Sequence, residues 1–113
     1  MLKYISIIKN ALEDKKAEDI QIINISEISY MADYFIIANG SNINQVHALS
    51  DNVCEELMKA GLQIKATEGY QSGNWILLDY GDIIIHIFDK ESRSFYDLER
   101  IWKDGKMIDL DTL

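Results

Sequence analysis

Asp79 and Asp82 are the pair of residues in this sequence best placed to do chemistry, since two close carboxylates can hold a divalent cation or share a proton. They also flank Tyr80-Gly81, and Asp beside a tight turn commonly accepts local backbone hydrogen bonds, which is the favoured reading. His47 falls on the polar side of a helical segment with no second His or Cys at ligand spacing, so a solvated side chain is expected. His86 is flanked by aliphatic residues and fits a structural histidine, with use at an interface left open. Cys54 borders an apolar helical stripe and fits a semi-buried, inert thiol. Gly40-Ser41 follows an apolar strand as some phosphate-contacting turns do, but no Lys-bearing phosphate loop or Gly-x-Gly-x-x-Gly run accompanies it. No catalytic, cofactor-binding or metal-binding residues are therefore assigned.

The elements that must position these groups follow from hydrophobic periodicity. Leu2, Ile5, Ile8 and Leu12 recur at helical steps. Ile20 to Ile25 and Tyr34 to Ile37 are β-branched or aromatic runs that predict two buried strands around a polar loop. Gly40, Ser41 and Asn42 end the second strand and supply a helix cap. Val46, Leu49, Val53, Leu57 and Ala60 form the stripe of the helix that follows, and Gly61 suits a left-handed residue past its end. Leu62, Ile64 and Ala66 alternate with polar residues, as in an edge strand.

Trp75 to Asp79 and Asp82 to Phe88 then predict a hairpin with Tyr80-Gly81 at its tip. Asp89 caps a last helix with Phe95, Leu98, Ile101 and Trp102 on one stripe, and the last ten or so residues are expected to be a frayed tail. The whole predicts one domain over residues 1–113, an α/β fold with a mixed five-stranded sheet flanked by helices.

With that turn, Asp79 pairs with Asp82, Leu78 with Ile83, Leu77 with Ile84, Ile76 with Ile85 and Trp75 with His86. One hairpin face is then aliphatic: Ile76, Leu78, Ile83, Ile85 and Ile87. The other carries Trp75, Leu77, Ile84, His86 and Phe88, either a covered interior or an exposed binding face. Tyr96 lies off the stripe of the last helix, so its ring is expected beside the hairpin.

Composition narrows the function classes. Asp and Glu outnumber Lys and Arg by 19 to 11, a net charge of −8, which disfavours extensive nucleic-acid contact and suits a basic partner. A single cysteine excludes an intrachain disulfide and fits a reducing, cytoplasmic setting. Met1 to Ala11 is too interrupted by polar residues, and runs too soon into Glu13 and Asp14, for a membrane span or a signal-peptide core.

Ala32-Asp33-Tyr34-Phe35-Ile36-Ile37-Ala38, Gly40, the run from Trp75 to Phe88, Phe95-Tyr96-Asp97-Leu98-Glu99 and Trp102 together form a specific pattern. It resembles the ribosomal silencing factors, also called the Iojap-like family. The resemblance implies nucleotidyltransferase-like topology without its chemistry, because Asp51-Asn52-Val53 does not supply that enzyme's acidic pair. It also implies binding to the large ribosomal subunit at protein fourteen, a block to small-subunit joining, and a homodimer in the free state. On that basis the docking residues are Trp75, Leu77, Ile84, His86, Phe88 and Tyr96, with Asp97 and Glu99 as an acidic rim. The rival readings are a magnesium-dependent nucleotidyltransferase using Asp79 and Asp82, and a ribosome-assembly adaptor without silencing activity.

Overall fold

A computed structural model describes residues 1–113. The elements run α1 (Leu2–Asp14), β1 (Glu18–Asn24), β2 (Tyr34–Gly40), α2 (Ile43–Lys59), β3 (Ala66–Glu68), β4 (Trp75–Asp79), β5 (Ile83–Asp89), α3 (Lys90–Tyr96), α4 (Leu98–Ile101) and β6 (Lys106–Met107). A final 3-10 turn covers Leu110–Thr112. The sheet order is β3-β4-β5-β2-β1-β6, with β2 and β5 parallel and the other neighbours antiparallel. No helix is long and apolar enough to cross a membrane.

The apolar stripes act as their spacing requires. Ile5, Ile8 and Leu12 of α1 and Val46, Leu49, Val53 and Leu57 of α2 are buried against the aliphatic hairpin face. Leu2, at the start of α1, is exposed instead. The α2 N-terminus is capped by Asn42, whose Oδ1 accepts from Gln45 N–H at 2.8 Å, and Gly61 past the other end has φ +90°.

Four expectations need correction. The hairpin register differs: Trp75 pairs with Phe88, Leu77 with His86 and Asp79 with Ile84. Tyr80 N–H donates to the Ile83 carbonyl at 2.9 Å, so Gly81 and Asp82 form the tip. Gly81 carries the positive φ of 87° at the first tip position, where a type II′ turn wants Gly. The shift is two residues along β5, an even number, so every side chain keeps its predicted face.

The second correction concerns the C-terminal segment. It is sheet strand β6 on the free edge of β1, followed by Ile108, Leu110 and Leu113 packed on the main core, and not a frayed tail. The sheet therefore has six strands and not five. Third, the predicted last helix breaks at Asp97, which takes a left-handed φ of 49° between α3 and α4. Leu98 stays buried while Phe95 and Ile101 swing to the surface. The expected edge strand is also shorter, since Leu62 and Ile64 pack on the core as loop residues before β3.

Candidate docking face

The second hairpin face is a ladder of rings that runs from solvent into the interior. Asp89 starts α3 by accepting from Ser92 N–H at 2.7 Å, and the Asp97 N–H closes it on the Arg93 carbonyl. This short helix carries Tyr96 to the start of β4, where its ring centroid lies 4.5 Å from that of Trp75. Trp75 in turn packs on Phe88 at 5.0 Å and donates its indole N–H to His86 Nδ1 at 3.0 Å. His86 meets Phe35 edge-on at 4.8 Å, and Phe35 meets Trp102 at 5.0 Å.

The two ends of this ladder differ. At the inner end Ile23, Ile25, Ala32, Phe35, Ile37, Ile84, Phe88 and Leu98 make a second core, with Trp75, Leu77 and Trp102 packed against it. Ile84, His86 and Phe88 are buried, Phe88 completely, so these three of the predicted docking residues lie beneath the surface. Their own neighbours cover them: the segment after Asp97 brings Leu98 and Trp102 over the sheet, and Trp75 and Tyr96 roof His86 and Phe88. At the outer end Trp75 and Leu77 are half-buried, Tyr96 is 44% exposed and Phe95 80% exposed. A recess of about 290 Å³ opens beside them, lined by Glu68, Gly69, Trp75 and Leu77.

Burial fixes the chemistry of His86. Accepting at Nδ1 places its proton on Nε2, which is buried and has no hydrogen-bond partner. Desolvation lowers its pKa from 6.5 to about 4, so the ring is neutral near pH 7. Since the unfolded chain takes up this proton near pH 6.5 and the folded chain only near 4, stability falls as pH drops through that window. His86→Gln, which keeps an acceptor for Trp75, should be relieved of a loss on the order of 3 kcal/mol between pH 6.5 and 4. Urea unfolding of both proteins across that range checks this, and a stability difference that stays constant with pH would count against it.

Of the acidic rim, Asp97 is exposed, whereas Glu99 turns inward with its carboxylate 3.7 Å from Arg93 Nε. The sequence does not single out Arg93, and it places Phe95 on the apolar stripe of the last helix and not on the docking surface. The detectable signal was Asp97 itself, a helix-capping residue type set immediately before Leu98-Glu99.

The residues weighed for catalysis are engaged locally. Asp79 Oδ1 accepts from Gly81 N–H at 2.8 Å, the turn role, and Asp82 stands exposed at the hairpin tip. Ser41 gives its N–H and hydroxyl to Gln45 Oε1 at 2.6 and 2.8 Å. Gly40 pairs with Asp89 across the parallel strands, the crevice where sheets of this kind hold ligands, but Asp89 caps α3 there. Cys54 is half-buried, as expected. His47 is only partly solvated: it is half-buried, its ring lies tilted against that of Tyr70, and it donates from Nε2 to the Tyr70 carbonyl. The Tyr70 hydroxyl donates to Asp51 at 2.8 Å, so both ends of that residue tie the loop before β4 to α2.

Comparison with known proteins decides the family. Residues 2–113 match the family described as "Ribosomal silencing factor during starvation". The chain belongs to the ribosomal silencing factor family. It is 41% identical over 101 residues to the ribosomal silencing factor RsfS of Bacillus subtilis, covering 89% of this chain and 86% of that one. The chloroplastic protein Iojap of Zea mays is 28% identical over 109 residues, 96% of this chain and 47% of the plant protein. A crystal structure of a Chromobacterium violaceum protein superposes with a TM-score of 0.89 at 34% identity, over 91% of this chain and 86% of that chain. One from Bacillus halodurans gives 0.86 at 33% identity, over 96% and 99%. Those crystal structures share the mixed sheet flanked by helices.

Proposed function

We propose that this silencing factor represses translation by docking on the large ribosomal subunit at protein fourteen, where its bulk keeps the small subunit from joining. The observation that carries this reading is the exposed end of the ladder, Trp75, Leu77 and Tyr96 with Phe95 beside them, next to Asp97. Trp and Tyr anchor interface hot spots because a large ring is desolvated at small entropic cost, and ring pairs already stacked need little ordering on binding. Ile84, His86 and Phe88 support this surface from below and do not touch the partner. The net charge of −8 favours a basic protein surface over bare RNA and adds an electrostatic contribution to encounter. The free protein is a homodimer, and it works in the cytoplasm without catalysing a reaction.

Two measurements on one preparation test this. Co-sedimentation should retain the protein with purified large subunits and not with small ones. Added in excess before mixing, the protein should lower the yield of joined ribosomes. Retention without any effect on joining would favour an assembly adaptor, and retention by neither subunit would end the proposal.

A further inference from the structure

We infer that Arg93 is a positioning residue for the docking surface, holding α3 so that Tyr96 stays packed on Trp75. The inference rests on the docking role just proposed for Trp75 and Tyr96. Arg93 is the only charged residue among the buried ones, with its side chain 7% exposed. A buried guanidinium is costly unless it is paired, and here Nη1 is hydrogen-bonded to separate segments while Nε and Nη2 lie within ion-pair reach of carboxylates, Nη2 without a hydrogen bond of its own. Nη1 donates to the Asp19 carbonyl, to Asn39 Oδ1 at 2.9 Å and, more weakly, to the Glu18 carbonyl at 3.4 Å. Nη2 lies 3.4 Å from the Asp19 carboxylate, and Nε lies 3.7 Å from that of Glu99.

The acceptors are arranged for this purpose by an irregularity of β1. The register slips between Glu18 and Gln21, and Asp19 takes a left-handed φ of 49°. That bulge brings two successive carbonyls to one guanidinium nitrogen. Asn39 completes the arrangement, since its Nδ2 donates to Glu18 Oε1 at 2.8 Å while its Oδ1 accepts from Arg93. Arg93 thus ties α3 to β1, β2 and α4 at once.

Helix α3 has seven residues, too few to hold a direction by its own hydrogen bonds. Its orientation depends on its anchors, which are the Asp89 cap at the start and Arg93 three residues before Tyr96. The Arg93 carbonyl also receives the Asp97 N–H, which closes the helix directly after Tyr96. An apolar residue could fill the same volume, but only a fork with several donors fixes both the depth and the rotation of α3.

Arg93→Lys keeps charge and reach while losing the fork. Its affinity for large subunits should be measured in the wild-type background and in Tyr96→Ala, together with near-UV circular dichroism of the Trp75–Tyr96 pair. The expected result is a loss of about fivefold or more in the wild-type background and about twofold or less beside Tyr96→Ala, because contacting groups do not add. The near-UV spectrum should change while the far-UV spectrum is kept. Should Arg93→Lys fold poorly, Asn39→Ala removes one acceptor and should show the same non-additive pattern at smaller size. Equal losses in both backgrounds, or full binding by a folded Arg93→Lys, would overturn the role of Arg93 alone. Unchanged binding by Tyr96→Ala would instead remove the docking surface itself.

Discussion

Tyr96→Ala should weaken binding to large ribosomal subunits by about thirtyfold or more, equivalent to ~2 kcal/mol, and Trp75→Ala should do at least as much. Tyr96 is 44% exposed and rests on Trp75 and Phe88, so truncating it removes contact area on the side facing the partner. It also frees the Trp75 ring to move. The cost to folding should be small by comparison, because an aromatic pair at the surface contributes about 0.5–1.5 kcal/mol beyond its buried area. A control of similar apolar character exists in Met58→Ala, an exposed side chain near the C-terminal end of α2 and outside the ring ladder. It should bind as wild type does. Titrating each folded variant into large subunits decides the matter: equal affinity of Tyr96→Ala, Trp75→Ala and wild type would show that the ladder's open end is not the docking site.

The facing of the hairpin was legible in the sequence because it depends only on parity. Placing the tip at Tyr80-Gly81 or at Gly81-Asp82 moves the register by two, so Ile76, Leu78, Ile83, Ile85 and Ile87 face α1 and α2 either way. The turn itself was ambiguous: Gly81 can occupy either central position, and an Asp stands on each side of the pair Tyr80-Gly81. The C-terminal docking left a signal in Ile108-Asp109-Leu110-Asp111, whose alternation suits a chain lying on a surface. Strand β6, with two residues, left none.

Which part of the aromatic face meets water could not be read from periodicity. That outcome depends on one left-handed residue, Asp97, which sends Leu98 and Trp102 over the sheet while releasing Phe95. Backbone hydrogen bonding competes with helix continuation at Asp, and only tertiary partners settle the contest. Arg93 was invisible for a similar reason. A lone Arg within a short polar helix looks solvated unless a bulge in β1, two strands from β5 in the sheet and far away in the chain, presents carbonyls to it.

Phe88→Ala should produce the largest loss of stability of any single truncation in the ladder, about 3–5 kcal/mol. Its ring is fully buried, it packs on Trp75 and Tyr96, and the residues around it belong to the second core. Little could collapse into the space, since the sheet backbone lies on one side and ring-bearing anchors on the other. Domains of this size are stable by roughly 5–15 kcal/mol in total, so the variant would approach the unfolding threshold. Binding would then fall because the roof formed by Trp75 and Tyr96 loses its support. Phe88→Leu separates foundation from contact, since it refills most of the volume without an aromatic edge. It should recover most of the stability in urea unfolding and, with it, most of the affinity for large subunits. A Phe88→Leu protein that is stably folded but binds as poorly as Tyr96→Ala would mean that the partner reaches Phe88 directly, and that the closed end of the ladder opens on docking.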